Sequence, residues 1–454
     1  MWFVVTVALR SASRSKRLAL IASLAAAPGA QGTIGSFPNV AVPPGNPLTE
    51  EKVLLGKALF FEEQLSSDDT MACATCHLPE AGGADVRAAL RHPGVDGLLG
   101  TSDDEFGSPG VRRQDAAGNF AAHALVGFEP QPTSRHAPTV FGAAFFDALF
   151  WDQRAERTFR DASGTIVLPE LAALESQAVA PAVSSIEMAH EGRTWDAVTA
   201  TLACVRPLDL ASDLPPSLAA FVLGVEDYGE LFARAFGTPA ITRERVAMAL
   251  ASYERTLVPD RTPFDLGTLT PQEALGLQVF RVNGLCESCH PSTPGLFSDG
   301  FAHDIQLAAH TRSVKAPTLR NVGLRPRLMS GGQFTSLGEV LAHYERIGFL
   351  IPLTQANREA LLVFLANGLT DERVLRRQPP FDRPTLRSER VPSGSNLYGR
   401  SWPGSGGFVP EMLADAPANL GNDDWRLGLG RALGGATAFL ALSDERARPG
   451  ATFR

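Results

Sequence analysis

Apolar residues recur at helical spacing in several parts of this chain. One stripe approximates a single helical face, with apolar positions at Ile241, Val246, Ala249, Leu250, Tyr253 and Leu257. A second stripe consists of Leu337, Val340, Leu341, Tyr344 and Ile347. The period of both stripes is that of an amphipathic α-helix. Strand signals are few before residue 380, so the pattern predicts a mainly α protein.

The two halves of the chain repeat one order of features. Each half has a predicted helix with a threonine at its N-cap, a glycine four residues before a phenylalanine, and a later Ala-Pro-Thr segment before another apolar helix. The paired features are Leu48-Thr49 and Leu269-Thr270, Gly56–Phe60 and Gly276–Phe280, and Ala137-Pro138-Thr139-Val140 and Ala316-Pro317-Thr318-Leu319. Such internal repetition predicts two duplicated domains.

Four of the five cysteines belong to two copies of one motif. Cys73-Ala74-Thr75-Cys76-His77 and Cys286-Glu287-Ser288-Cys289-His290 both read C-x-x-C-H, the attachment signature of c-type haem. The two thiols bind the vinyl groups of one haem, and the histidine binds its iron. A disulfide, a redox-active pair and half a zinc site are the alternatives. Two copies that each end in histidine favour two covalently bound haems. The fifth, Cys204, has apolar neighbours that predict a buried thiol.

Composition and charge exclude two classes of partner. Lys plus Arg is 41 and Asp plus Glu is 49, so the formal charge is -8 and no general basic surface for nucleic acid is expected. No apolar run reaches the roughly 18 to 20 residues that a membrane-spanning helix needs. Basic residues at Arg10, Arg14, Lys16 and Arg17 precede the apolar stretch from Leu18 to Ala27. This order predicts an export segment over residues 1–30 and a periplasmic protein, with a buried N-terminal helix as the alternative.

We therefore expect a mainly α fold with two tandem cytochrome c-like haem domains and a loop-rich C-terminal extension. The predicted boundaries are 36–258 for the N-terminal haem domain, 259–385 for the C-terminal haem domain and 386–454 for the extension. After residue 376 the chain becomes rich in Pro, Gly, Ser and Asn, which is typical of loops.

Several further segments carry a resemblance to a known family. They are Arg135 to Val140, Phe150-Trp151-Asp152-Gln153-Arg154-Ala155, Gln177 to Met188, Glu254-Arg255-Thr256-Leu257, Ala316 to Gly323 and Glu339 to Tyr344. With the haem motifs, they make the region from about Asn46 to Arg383 resemble the bacterial di-haem cytochrome c peroxidases and their MauG-type relatives, the tryptophan-modifying di-haem enzymes.

The resemblance implies a role for each centre. The His77 haem would react with peroxide, and the His290 haem would transfer electrons. Trp151 would lie between the two haems. Glu187 matches the family's catalytic glutamate, and Gln177 stands ten residues before it, as in the family. Without the resemblance, Trp151 would be interpreted as a core aromatic residue and Glu187 as a solvated carboxylate.

The resemblance also raises the question of the distal ligand of the second haem. MauG-type enzymes supply a tyrosine in the segment that corresponds to Glu339–Tyr344, and this residue is Tyr344 here. Met329 is the competing ligand, since the conventional peroxidases use a methionine. A third interpretation makes Tyr344 a core residue that bonds to another group.

Other residues bear on metal binding. His92, His123 and His136 lie between the first haem motif and Pro138, and each is a candidate to approach the first iron. His136 also occupies the position of the family's asparagine that helps to hold an interdomain calcium. Asp96, Asp103 and Asp104 offer oxygen ligands on a glycine-rich turn, which suits calcium, although a solvated acidic loop is the alternative. His303 is expected to pack near the second haem or to bond to a haem propionate.

Three functions follow as expectations. The first is reduction of hydrogen peroxide to water with electrons from a small cytochrome c or cupredoxin. The second is MauG-type, peroxide-dependent oxidation of aromatic residues on a partner protein. The third is a non-enzymatic di-haem electron carrier. Family resemblance also implies a homodimer.

Overall fold

The structure is a computed structural model that describes residues 38–87, 89–127, 129–282, 285–308, 311–389, 411–414 and 427–430. Its α-helices are α1 (Glu50–Phe60), α2 (Cys73–Cys76), α3 (Ala173–Ala178), α4 (Trp195–Leu202), α5 (Pro216–Val222), α6 (Tyr228–Phe236), α7 (Arg243–Glu254), α8 (Pro263–Leu266), α9 (Pro271–Val282), α10 (Leu337–Arg346), α11 (Gln355–Val363) and α12 (Glu372–Leu375).

Short strands form two-stranded antiparallel pairs between these helices. The pairs are β1 (Leu90–His92) with β2 (Glu105–Gly107), β3 (Pro109–Arg112) with β4 (Pro130–Pro132), β5 (Ala148–Leu149) with β6 (Ala155–Glu156), β7 (Phe159–Arg160) with β8 (Ile166–Leu168), β9 (Ala302–Ala308) with β10 (Thr311–Lys315), and β11 (Glu411–Ala414) with β12 (Leu427–Gly430).

Helix α1 packs closely on α7 because Gly56 has no side chain. A Cβ at Gly56 would lie 1.9 Å from the Ala249 carbonyl oxygen, so the backbones approach more closely than another residue would allow. One turn further along each helix, the Phe60 and Tyr253 rings meet edge to face with centroids 5.3 Å apart. Thr49 caps the start of α1 by accepting a hydrogen bond from the Lys52 N–H, as its position predicts.

Helices α9 and α11 repeat this crossing in the second half. A Cβ at Gly276 would lie 2.1 Å from the Ala360 carbonyl oxygen. The Phe280 and Phe364 rings again meet edge to face one turn along, at a centroid distance of 5.9 Å. The glycine–phenylalanine spacing seen in the sequence therefore corresponds to the same helix contact in both halves.

Two hydrophobic clusters bury most of the core. The first includes the α1, α6 and α7 contacts, and the second includes those of α9 and α11. Val374, Phe381 and Leu386 follow the second cluster along the chain but pack in the first, where the Phe381 ring lies 5.0 Å from that of Phe141. The division into tandem domains at the boundaries given above stays a prediction.

The described residues are mainly helical, as expected: they form twelve α-helices, and their strands are only two to seven residues long. The structure differs from the expectations at two places. Only a three-residue 3₁₀-helix follows each Ala-Pro-Thr segment, at Ala143–Phe145 and Val322–Leu324, because left-handed Gly142 and Asn321 precede them. Cys204 is exposed rather than buried, since α4 ends at Leu202 and the chain turns outward there.

The predicted export segment over residues 1–30 lies outside the described residues, and so does most of the predicted extension over 386–454. Among the described residues, no helix has the length and apolar character needed to cross a membrane.

We predict that Gly56→Ala destabilises the protein by about 1 to 3 kcal/mol, because the new methyl group overlaps the Ala249 carbonyl. Gly338→Ala is the matched control, since Gly338 also lies in a helix and its nearest neighbour to a new Cβ is 3.8 Å away. Denaturant unfolding of the haem-loaded protein measures both free energies. Equal free energies of unfolding for the two variants would contradict the close crossing.

Candidate active site

The first C-x-x-C-H motif opens onto a cavity of about 360 Å³. Helix α2 carries Cys73 and Cys76, and His77 follows at its C-cap. All three residues line the cavity. From other parts of the chain, the wall also includes His136, Trp151, Arg154, Gln177, Glu187, Glu254 and Lys315. The sequence-predicted residues of the first centre therefore converge on one space.

Burial favours the neutral form of the thiols in both motifs. None of the four cysteines forms a disulfide. Burial raises the pKa of Cys76 and of Cys286 to about 12, and it also raises the pKa of Cys73 and of Cys289. Neither motif forms a disulfide, and the first motif opens onto a cavity, as haem attachment requires.

Each motif histidine has one ring nitrogen held by a backbone carbonyl. His77 Nδ1 lies 3.2 Å from the Gly83 oxygen, and His290 Nδ1 lies 2.9 Å from the Phe297 oxygen. Because a carbonyl only accepts hydrogen bonds, Nδ1 must carry the proton, and Nε2 keeps its lone pair for a metal. Burial lowers the pKa of both histidines, which favours the neutral, ligating form.

The Ala-Pro-Thr segments build these two histidine environments in the same way. The Pro138 carbonyl faces the His77 ring, and the Pro317 carbonyl faces the His290 ring. Thr139 Oγ1 donates to the Gly82 oxygen at 2.7 Å, and Thr318 Oγ1 donates to the Leu296 oxygen at 2.6 Å. Gly82 and Leu296 directly precede Gly83 and Phe297, whose carbonyls hold the two histidines. Each threonine therefore fixes the loop that orients a motif histidine.

Trp151 connects the two histidine environments through the backbone. Its indole Nε1 donates to the His136 oxygen at 2.9 Å, two residues before Pro138. Its own carbonyl accepts from the Lys315 N–H at 2.9 Å, two residues before Pro317. Trp151 is only 9% exposed and lines the first cavity.

Glu187 lies in a hydrogen-bonded turn on the cavity wall. The Ser184 carbonyl accepts from the Glu187 N–H at 3.1 Å, and the Ile186 carbonyl accepts from the Val111 N–H in β3 at 3.0 Å. Burial raises the pKa of the Glu187 carboxyl, and the positive charge of Arg154 opposes this shift. Gln177, on α3, lines the same wall.

Two cavity residues, Glu254 and Lys315, received no catalytic or haem-binding role from the sequence, and His136 was only one of three histidines offered for the first iron. Glu254 ends α7, and burial raises its pKa to about 8, so that its carboxyl is mostly neutral near pH 7. His136 and Lys315 are also buried on the wall. The signals that pointed to them were indirect: Glu254 in the E-R-T-L segment, His136 in place of an asparagine and Lys315 beside an Ala-Pro-Thr segment.

Helix α10 brings Tyr344 close to the second motif. Tyr344 packs against the second cluster together with Cys286. Burial raises the pKa of the Tyr344 phenol, and the nearby Cys286 and Cys289 sulfurs act in the same direction. Met329 lies in a different loop, next to Ser330, whose carbonyl accepts from the His136 N–H at 2.9 Å.

The remaining histidines and acids have other surroundings. In the described part of the chain, His136 is on the cavity wall and His92 and His123 are not. Asp103 accepts from the Val95 N–H at 2.7 Å, and Asp104 accepts from the Gly100 N–H at 2.7 Å, so the loop's own backbone engages both carboxylates. Calcium at Asp96, Asp103 and Asp104 stays a prediction. The imidazole of His136 offers no oxygen ligand, so this residue does not fit the interdomain calcium site that the resemblance implied.

His303 lies beside the second motif. Its Nε2 is 2.8 Å from Asp299 Oδ2, and the two side chains form a close group with Cys289. Because Cys289 belongs to the attachment motif, we interpret this group as part of the haem environment and not as a separate metal site.

Comparison with known proteins agrees with this geometry. A family model described as "Di-haem cytochrome c peroxidase" matches residues 50–270. The methylamine utilization protein MauG of Methylorubrum extorquens is 30% identical over 333 residues, which cover 68% of this chain and 73% of that protein. The chain belongs to the di-haem cytochrome c peroxidase and MauG family.

Two further similarities support this assignment. MauG of Methylophilus methylotrophus is 29% identical over 330 residues, covering 68% of this chain and 76% of that protein. A crystal structure of a MauG-like protein associated with microbial copper homeostasis matches with a TM-score of 0.51 and 21% identity, over 76% of this chain and 95% of that one. The latter shows similarity of fold. As a family member, the protein is an oxidoreductase of the di-haem peroxidase type, and the electron-carrier interpretation is set aside.

The residues of both motifs fit the c-type haems of this family. Neutral thiols stand at the required spacing, and each histidine presents an Nε2 lone pair. Cys73, Cys76 and His77 would hold one haem, and Cys286, Cys289 and His290 the other.

We predict that Thr139→Val and Thr318→Val each destabilise the haem-loaded protein by about 1 to 3 kcal/mol, because a loop carbonyl loses its donor. Each variant also alters the absorption spectrum of the haem whose histidine its loop holds. Thr199→Val is the control, since Thr199 lies on α4 and its hydroxyl donates to the Asp196 oxygen within the same helix. Variants that match the control in both stability and spectrum would refute the role of these threonines.

Proposed function

We propose that the protein is an exported di-haem peroxidase that reduces hydrogen peroxide at the His77 centre with electrons received at the His290 centre. One observation carries this proposal: a single cavity is lined by the Cys73–His77 motif together with Glu187, Gln177 and Trp151. A pure electron-transfer centre needs no acid–base group beside its iron, whereas peroxide chemistry does.

Glu187 is the group we propose for proton transfer. Reduction of one hydrogen peroxide to two waters takes up two electrons and two protons. Haem iron in this family supplies the electrons. The Glu187 carboxylate can take a proton from one peroxide oxygen and deliver it to the other, and the Gln177 amide can orient the peroxide by donating a hydrogen bond. The shielded position that raises the pKa of Glu187 makes it a better proton acceptor.

Electrons would reach the first centre through Trp151. This residue is bonded to backbone groups close to both motif histidines, through His136 and Lys315. A small cytochrome c or cupredoxin is the proposed donor. We also propose a periplasmic location, because covalent haem attachment follows export and the basic residues from Arg10 to Arg17 directly precede the apolar stretch from Leu18 to Ala27.

We predict that Glu187→Gln keeps both haems but lowers peroxide turnover by roughly 10²- to 10⁴-fold, because the amide cannot accept the proton. Steady-state oxidation of a reduced cytochrome c by peroxide measures the loss, and a haem content assay verifies loading.

Glu191→Gln serves as the control for this prediction. Glu191 is an exposed carboxylate four residues further on, paired with Arg113 at 3.4 Å. Its replacement leaves turnover unchanged. Wild-type turnover in Glu187→Gln would remove Glu187 from the proton-transfer role.

The second candidate function is MauG-type oxidation of aromatic residues on a partner protein, with peroxide as the oxidant. It is favoured by Tyr344, whose phenol lies close enough to Cys286 and Cys289 to interact electrostatically with both sulfurs. Met329 lies in the loop next to His136 instead. We propose Tyr344 as the distal ligand of the second haem. An oxygen ligand gives this haem a lower potential than a methionine would.

We predict that Tyr344→Met changes the electron paramagnetic resonance signal of the second haem and raises its reduction potential, since a thioether favours the reduced iron. Met329→Leu, the matched variant of the competing ligand, leaves the signal and the potential at their wild-type values. The opposite pattern, with the second haem altered by Met329→Leu and unaffected by Tyr344→Met, would assign the ligand to Met329.

A further inference from the structure

Two basic side chains in the first cavity have no part in the proton transfer described above. His136 and Lys315 both line its wall and are 3% and 8% exposed. Both are attached to Trp151 by backbone hydrogen bonds of 2.9 Å, His136 through its carbonyl and Lys315 through its N–H. The two residues come from distant parts of the chain and meet at one tryptophan.

The His136 ring lies in the cavity without a protein partner. Among the described residues, neither Nδ1 nor Nε2 of this ring has a hydrogen-bond partner, although both atoms are buried. Buried polar atoms are nearly always bonded, so this ring indicates a missing acceptor or donor.

The charges around His136 favour an acceptor. Arg327 and Arg87 are the positively charged groups that act on its ring, and Asp85 is the opposing carboxylate. Asp85 is already paired with Arg87 at 2.7 Å, so much of its negative charge is neutralised locally. An anionic group beside His136 would balance the remaining positive charge.

Lys315 also lacks a full counter-charge. Its ammonium Nζ lies 3.5 Å from the centroid of the Phe146 ring. Burial lowers the pKa of Lys315 to about 7, and Asp299 opposes that shift only in part. Asp299 is itself bonded to His303 at 2.8 Å. A second anion close to Nζ would keep the ammonium charged in this position.

We propose that His136 and Lys315 together bind a propionate carboxylate of the first haem. A carboxylate accepts hydrogen bonds from an imidazole N–H and from an ammonium at the same time, so it satisfies the unpartnered His136 ring and supplies a counter-charge for the Lys315 ammonium. The cavity that they line is the one onto which Cys73, Cys76 and His77 open. The inference depends on haem attachment at His77 and is independent of peroxidase activity.

This contact would couple the two centres mechanically. Lys315 stands two residues before Pro317, whose carbonyl faces His290. A propionate bound to Lys315 therefore holds the first haem to the same strand end that orients the ligand of the second haem.

The test is the reduction potential of each haem in Lys315→Met, assigned by spectroelectrochemical titration with electron paramagnetic resonance on haem-loaded protein. Removing a cation next to the propionate disfavours the less positive, reduced haem, so we expect a downward shift confined to the His77 haem. Lys315→Arg keeps the charge and stays close to the wild-type potential. A haem content of two per chain excludes failed attachment as the cause.

Lys52→Met controls for the loss of a buried lysine, since Lys52 bonds to Asn46 at 3.1 Å and does not line the cavity. We expect it to leave both potentials unchanged. Two results would overturn the proposal: an unchanged potential of the His77 haem in Lys315→Met, or a shift of the His290 haem alone. Either would indicate that the Lys315 ammonium pairs with Asp299 and not with a propionate of the first haem.

A crystal structure of the haem-loaded wild-type protein tests the contact without any variant. The proposal requires a propionate oxygen of the first haem within hydrogen-bond distance of both Lys315 Nζ and a His136 ring nitrogen. A Lys315–Asp299 ion pair with both propionates elsewhere would show it to be wrong.

Discussion

A backbone carbonyl that can only accept a hydrogen bond determines the chemistry of each centre. The Gly83 and Phe297 oxygens require a proton on Nδ1 of His77 and His290, which leaves Nε2 of both rings as the metal-binding nitrogen. Burial keeps the two rings neutral. The loops that present these carbonyls therefore decide which ring nitrogen is available at each motif.

The Ala-Pro-Thr loops connect these local bonds to the rest of the molecule. Each loop faces a motif histidine through its proline carbonyl and secures the neighbouring loop through its threonine hydroxyl. Trp151 is bonded to the residues that precede both prolines, so the two histidine environments share one rigid backbone route. One of these contacts uses the Trp151 indole N–H and the other its backbone carbonyl, so the buried tryptophan fixes both segments relative to one another.

The sequence predicted the parts of the site that local chemistry dictates. Haem attachment needs two thiols and a histidine within five residues. The motifs Cys73–His77 and Cys286–His290 could therefore be recognised from the sequence alone. Helix caps such as Thr49, and close crossings such as Gly56, also leave short-range signals. Family resemblance supplied Glu187, Gln177 and Trp151, and the structure places all three on the wall of the first cavity.

The remaining features depend on contacts between distant residues. Nothing near Lys315 in the chain indicates that its side chain reaches the cavity of the first motif, and the raised pKa of Glu254 arises mainly from burial. The packing of Phe381 on Phe141 joins segments about 240 residues apart, which periodicity does not reveal. Cys204 illustrates the converse: its apolar neighbours suggested a core thiol, but the helix ends two residues before it.

Addition of stoichiometric hydrogen peroxide to the haem-loaded protein, with and without reduced cytochrome c, tests the central claim most directly. If peroxide is reduced at the His77 centre with electrons from the His290 centre, the haem spectrum changes at once and the cytochrome is oxidised catalytically. A haem spectrum that does not respond to peroxide, even after partial reduction of the protein, would contradict an open peroxide-reducing centre at His77.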